Sequence, residues 1–323
     1  MTPVGAVASP DLAVTFACDV AEGLAKDPKR IPSRYLYDGL GSQLFEAICE
    51  LPWYKITRGE RSLLEQHAEA ILRDLGTSPT LIELGAGNGE KLSLLLKSRG
   101  DDPDPMRVHL VDISATALGL SSRTLGQLPR IEVVLHETTY ERGLQEACAQ
   151  VGRARAAMVV FLGSNIGNMA PAESEQFLRD IWRGCRSGDR FLLGADLVKP
   201  ERDLLAAYND PLGVTAAFNK NVLVRLNREL DGDFDLEAFE HHAVWNADAA
   251  RIESYLVSRI EQGVCLRGAG CCIRLAEGEP IWTESSHKYE AEQIVYMAKQ
   301  AGFSLRQQWI DPESRFALTL LEA

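Results

Sequence analysis

The chain has 323 residues, 46% of them hydrophobic and 25% charged, the balance of a soluble globular enzyme with room for one large or two modest domains. A formal net charge of −12 and a pI near 5.1 argue against nucleic acid and anionic membrane surfaces as partners, because no lysine or arginine cluster offers a compensating patch. No apolar run reaches membrane-span length, and the N-terminus lacks the basic start and apolar stretch of a secretion signal, so a cytoplasmic location is the default expectation, while the sequence does not set the oligomeric state and a monomer is only one option for it.

In chain order, Pro3, Pro10 and a helical patch from Leu12 to Leu24 lead to the turn-rich Lys26-Asp27-Pro28-Lys29-Arg30-Ile31-Pro32. An aromatic loop, Arg34-Tyr35-Leu36-Tyr37-Asp38-Gly39, opens a helix and is followed by Leu51-Pro52-Trp53-Tyr54. Tyrosines this close pack readily, since the ring buries while the hydroxyl needs one partner. A helix with apolar spacing from Glu60 to Leu75 ends in the turn Gly76-Thr77-Ser78-Pro79.

Leu81-Ile82-Glu83-Leu84 then reads as a buried strand running into Gly85-Ala86-Gly87-Asn88-Gly89, with a helix from Glu90-Lys91. Such a strand, glycine turn and helix brings backbone N–H groups to a nucleotide-like ligand. The spacing is not the dinucleotide fingerprint, and Lys91 lacks the context of a phosphate loop. The second strand, Val108-His109-Leu110-Val111-Asp112, ends in an acid about 20 residues after the turn, where a ribose hydroxyl would be held. The alternative for Asp112 is a cap, by it or by Ser114, on the helix starting near Ala115.

Further apolar strands follow at 131–135, 156–162 and 191–196, with helical spacing between them. Parallel strands with helical crossovers gather ligand groups at their carboxyl ends, so Gly85, Asp112, Thr138, Gly163-Ser164 and Asp196 should approach one cleft, a methyltransferase-like layout. Beyond Lys199-Pro200 come helices at 201–208 and around 222–226, then alternating strands at 251–257 and 280–286. In the last of these Trp282, Glu284 and Ser286 are placed on one face. A helix from Glu290 to Ala301 stops at Gly302, and strands at 304–310 and 316–320 close the chain. The cysteines at 18, 49, 148, 185, 265, 271 and 272 form no C-x-x-C pair with metal spacing and read as reduced thiols.

Several long co-linear motifs resemble the histidine-specific methyltransferase family of ergothioneine biosynthesis. They are Tyr37-Asp38-Gly39-Leu40-Gly41-Ser42, Leu51-Pro52-Trp53-Tyr54 with Thr57-Arg58, Phe161-Leu162-Gly163-Ser164-Asn165-Ile166-Gly167-Asn168, Asp196-Leu197-Val198-Lys199, and Tyr208-Asn209-Asp210-Pro211 with Gly213-Val214-Thr215. The resemblance covers nearly the whole chain. It implies an α/β, Rossmann-like methyltransferase domain binding S-adenosylmethionine over residues 62–198, and a second, α+β, substrate-binding domain from 1–61 together with 199–323. The amino acid would lie where the two meet.

On the resemblance, Tyr37, Gly85, Lys91 and Asp112 contact S-adenosylmethionine. Tyr37, Asn168 and Tyr208 hold the amino and carboxylate ends of L-histidine, with Tyr37 and Asn168 as the catalytic pair and Gly163 lining the site. Tyr54, Glu284 and Ser286 read the imidazole. Two departures stand out. Where the family commonly has Gly-Asp-Phe for adenine, this chain has His136-Glu137-Thr138-Thr139-Tyr140, so a Thr138 or Thr139 hydroxyl, or Glu137, stands in. Where a Met often lies against the imidazole, Ser254 makes a smaller, more polar wall.

The implied reaction is methyl transfer from a sulfonium to the α-nitrogen, up to three times, giving hercynine, with no metal and no covalent intermediate. Ser254 keeps tryptophan or a prenylated tryptophan as the alternative acceptor. A non-catalytic S-adenosylmethionine-binding module and a nicotinamide dehydrogenase are further readings of the glycine turn. Neither explains Tyr37, Tyr54, Tyr208 and Glu284 together.

Overall fold

A computed structural model describes residues 10–73, 75–76, 78–99, 104–151 and 156–323. Pro3, and Thr77 of the expected turn, lie outside the described residues. The elements run α1 (Pro10–Leu24), β1 (Lys29–Arg30), α2 (Gly39–Cys49), α3 (Lys55–Leu72), β2 (Thr80–Leu84), α4 (Glu90–Lys97), β3 (Met106–Asp112), α5 (Ala115–Leu125), β4 (Ile131–Glu137), α6 (Tyr140–Gln150) and β5 (Ala157–Phe161). They continue as α7 (Pro171–Gly184), β6 (Arg190–Asp196), α8 (Glu201–Tyr208), α9 (Val214–Glu229), β7 (Phe239–Asn246), β8 (Arg251–Ser258), β9 (Gln262–Leu266) and β10 (Cys271–Leu275). The last are β11 (Pro280–His287), α10 (Ala291–Ala301), β12 (Ser304–Asp311) and β13 (Phe316–Glu322).

Residues 55–199 and 287–323 form one unit around a seven-stranded sheet in the order β12-β13-β6-β5-β2-β3-β4. The strands from β6 to β4 are parallel, while β13 pairs antiparallel with both β6 and β12. β2, β5 and β6 are buried along their whole length, which is why they read as continuous rather than alternating apolar runs. One face carries a core of Ile82, Leu84, Phe161 and Phe191 with Leu144, Phe177 and Ile181 from the helices above it. This is the doubly wound, Rossmann-like arrangement, with an antiparallel hairpin on one edge.

That hairpin changes the expected division of the chain. Residues 287–323 belong with the sheet and not with the remainder of the C-terminal half, because β13 pairs with β6 from Phe316↔Asp196 to Glu322↔Arg190. Its Phe316, Leu318, Leu320 and Leu321 are all buried, so the strand needs cover on both faces.

The other unit comprises residues 1–54 and 200–286. It holds a four-stranded sheet, β1-β11-β8-β7, and the separate hairpin β9–β10. β7 was not apparent from the sequence, since its two histidines blur the apolar alternation that Phe239 and His241, both buried, carry in the fold. Cys265 and Cys272 were expected as thiols. They are joined in a disulfide, because the register of β9 and β10 puts them directly opposite, with Cα atoms 4.1 Å apart. Among the described residues no helix is long and apolar enough to cross a membrane.

Two buried histidines make the fold sensitive to acid. His109 Nδ1 lies 2.9 Å from His136 Nε2, and burial, with the neighbouring His136, pushes His109 down to about 4. His241 is also buried and pushed down to about 4, first by burial and then by His242. Between about pH 6.5 and 4 the unfolded chain therefore binds protons that the folded chain refuses, so stability is full above that window and falls as pH drops through it. The loss is on the order of 3 kcal/mol for His109. Urea denaturation at pH 7 and pH 5 measures it, and His109→Gln should flatten the pH dependence.

Candidate functional site

In the sheet unit the site residues gather at the carboxyl ends of the parallel strands. Gly85 leaves β2 with φ of +81°, and its N–H donates to Val111 O at 2.8 Å. A Cβ there would lie 2.9 Å from Asn165 Nδ2 and 3.2 Å from Tyr140 Oη, so both the conformation and the room demand glycine. The turn is thus lined by a carboxamide and a phenol that the glycine spacing did not disclose. Burial raises the Tyr140 hydroxyl above its ordinary value, and its ring packs edge-on against Phe161.

Asp112 ends β3 as expected, and the two readings of it separate. Ser114 is the N-cap of α5, its Oγ accepting from Ala117 N. The Asp112 carboxylate instead accepts N–H groups of Ser114, Gly87, Ala86 and Ile113. Burial raises its pKa and those bonds oppose the rise. Its position ties the strand end to the glycine turn. Thr138 N–H donates to Asp112 O, which places the start of the expected adenine segment beside it, and Thr139 is the N-cap residue of α6 with no side-chain capping bond.

Lys91, the second residue of α4, pairs with Glu60 of α3 at 2.7 Å. Both Glu60 oxygens accept the Gly163 N–H, at 2.8 and 3.0 Å, although Glu60 is fully buried. Gly163 begins the turn after β5, and Asn165–Asn168 forms a short 3-10 helix. Of its two asparagines, Asn165 is the one set against Gly85 and Gly163, while Asn168 ends the helix, half-buried.

Asp196 was expected to approach the ligand cleft. It ends β6 with its N–H donating to Ser164 Oγ at 2.9 Å, and its carboxylate is wholly buried and ion-paired with Lys199 at 2.5 Å and Lys288 at 3.0 Å.

In the other unit the expected tyrosines form a continuous aromatic chain. Tyr37 meets Phe45 and Phe218 with centroids 5.4 and 5.3 Å apart, Phe45 meets Tyr54, and Tyr54 meets Tyr208 at 6.2 Å. Tyr208 Oη and Ser286 Oγ share a buried hydrogen bond of 2.8 Å. Burial holds the Tyr54 hydroxyl far above its ordinary value, helped by Tyr208, Cys49, Tyr37 and Glu284. The same environment keeps the Tyr54 phenol a neutral donor.

The loop carrying Tyr37 is anchored by Asp38, which caps α2 through Gly41 N–H and also accepts from Asn221 and Arg228 at 2.7 Å each. Just after Tyr208, Asp210 accepts the N–H groups of Val214 and Thr215 in the first turn of α9. These two acids, inside the quoted motifs, aim the tyrosines. Phe45 and Phe218 look like ordinary core positions in the sequence, and nothing there singles them out.

β11 departs from the expected simple alternation. Ile281 and Thr283 are buried around a half-exposed Trp282, but Glu284 is buried too, then Ser286, so the burial phase shifts by one residue after Thr283. Trp282 packs on Tyr255 and beneath Arg251, and its indole N–H donates to Glu284 O at 2.8 Å. Ser254 is 0% exposed, between Ile252 and Leu256 in the inward pattern of β8, and its Oγ has no hydrogen-bond partner among the described residues.

The family described as histidine-specific methyltransferase, SAM-dependent, matches residues 16–323. The chain is 41% identical over 303 residues to a histidine N-alpha-methyltransferase of Mycolicibacterium smegmatis, covering 94% of this chain and 93% of that one. It is 36% identical, with the same coverage, to a histidine N-alpha-methyltransferase of Mycobacterium tuberculosis. A 4-dimethylallyltryptophan N-methyltransferase of Claviceps purpurea is 24% identical over 313 residues, 90% of each chain.

Proposed function

This chain belongs to the SAM-dependent, histidine-specific methyltransferase family, and on that premise we propose that it methylates the α-amino group of L-histidine, up to three times, to give hercynine. The observation that carries the reading is the buried Tyr208–Ser286 bond with Glu284 and Tyr54 in the same unit, a donor and acceptor set suited to a polar five-membered ring. Glu284 accepts from a ring N–H, and Ser286 donates or accepts as the tautomer requires.

The residues at the strand ends fit S-adenosylmethionine. Gly85 and Gly163 leave space that a Cβ would fill, Lys91 offers an ammonium to a carboxylate, and Asp112 offers a carboxylate to ribose hydroxyls. Thr138 or Thr139 is assigned to adenine. When bound, the cofactor supplies an electrophilic methyl group on sulfur. The protein's part is orientation, which accounts for most of the acceleration in such a transfer. Tyr37, Asn168 and Tyr208 are assigned to the amino and carboxylate groups of histidine, directing the lone pair of the neutral amine, and Gly163 lines the site. The proton leaves to solvent.

The test is incubation of the purified protein with S-adenosylmethionine and L-histidine, with mono-, di- and trimethylated products followed by mass spectrometry. Absence of α-N-methylation rejects the reading. A second acceptor, tryptophan or a prenylated tryptophan, is favoured by the small, unpaired Ser254 and by similarity to the Claviceps purpurea protein. A panel of aromatic amino acids under the same conditions decides, and histidine should lead it.

A further inference from the structure

We propose that Glu60 is a positioning residue for the methyl donor: from beneath, it fixes the Lys91 ammonium over Gly163 and so presets the group that receives the donor's carboxylate. This rests on the cofactor reading above. Glu60 occupies no position in the glycine turn, yet three separate features of the unit are arranged around its carboxylate. Gly163 N–H donates to both oxygens, and Lys91 Nζ lies 2.7 Å from one of them. On the far side Gly194 of β6 has no side chain where a Cβ would stand 2.2 Å from Glu60 Oε1. Lys91 Nζ in turn would be 3.3 Å from a Cβ on Gly163, so ammonium, carboxylate and loop backbone interlock.

The pair is asymmetric. The Glu60 side chain is 0% exposed and that of Lys91 is 23% exposed, so one end is sealed and the other open. Burying a lone carboxylate is costly unless every lone pair is matched, and here a backbone N–H and an ammonium match it. An anion reaching the open end therefore meets a cation that cannot swing away. Without the carboxylate, Lys91 has a long, flexible stem and loses rotamer freedom on binding. Glu60 also ties the helix after the cofactor turn to the loop after β5.

A purely structural tie between α3 and α4 would cost stability without acting through Lys91. Calorimetric titration with S-adenosylhomocysteine separates the two, using wild type, Glu60→Gln, Lys91→Met and the double variant. Glutamine keeps one oxygen to accept the Gly163 N–H and replaces the other with a neutral NH2 that cannot accept from Lys91. Each single change is expected to weaken binding about tenfold, with the double variant no weaker than Lys91→Met alone. The KM for S-adenosylmethionine rises while the KM for L-histidine holds.

Gly194→Ala, which displaces the carboxylate without removing it, should reproduce the Glu60→Gln affinity and decides the question if Glu60→Gln does not fold. Losses that multiply to about a hundredfold in the double variant, or wild-type affinity in both Glu60→Gln and Gly194→Ala, overturn the proposal. Wild type that fails to bind S-adenosylhomocysteine overturns the cofactor reading itself, and this proposal with it.

Discussion

Glu284→Ala lowers kcat/KM for L-histidine by one to two orders of magnitude or more and leaves S-adenosylhomocysteine affinity within about twofold of wild type. Glu284 is only 8% exposed, so a ring N–H brought beside it loses its water and must find a partner there. Removing the acceptor strands a buried donor, which costs on the order of 1–3 kcal/mol. The loss falls on acceptors carrying that N–H, so methylation of an aromatic amino acid with a carbocyclic ring should change far less. Steady-state kinetics on both acceptors, with calorimetry on the same preparation, gives the comparison. Equal losses for cofactor and histidine would show that Glu284 holds the fold together instead of reading the ring.

Tyr208 and Ser286 support that expectation because their positions were visible as separate motifs and only the fold shows them bonded. The sequence disclosed what short-range pattern encodes. Continuous apolar runs gave the parallel strands, Gly302 gave the end of α10, and Glu201–Tyr208 was read with the observed bounds. Long-range pairing left weaker traces. Nothing local to Phe316–Glu322 says that it lies against β6, and nothing near Cys265 says that Cys272 faces it. Glu60 escaped notice for the same reason, since its partners Lys91, Gly163 and Gly194 are each distant in the chain. Local irregularity was also hidden. In β11 both Thr283 and Glu284 are buried, so a strict alternation of buried and exposed positions does not describe that strand.

Asp112→Ala is expected to raise the dissociation constant of S-adenosylhomocysteine by about two orders of magnitude, the worth of losing charged hydrogen bonds to two hydroxyls. The KM for L-histidine measured at saturating cofactor should stay near wild type. The carboxylate has a second role, because it receives the N–H groups of Ala86, Gly87 and Ser114 and so braces the turn against the end of β3. Losing that brace also lowers Tm, and affinity alone would confound the two effects. Asp112→Asn resolves them: its amide oxygen still accepts backbone N–H, which restores much of the Tm, while its neutral side chain grips ribose hydroxyls weakly, so affinity stays low. A variant that recovers Tm and affinity together would assign Asp112 to the turn alone, and the ribose would then have to be held by another group at the strand ends.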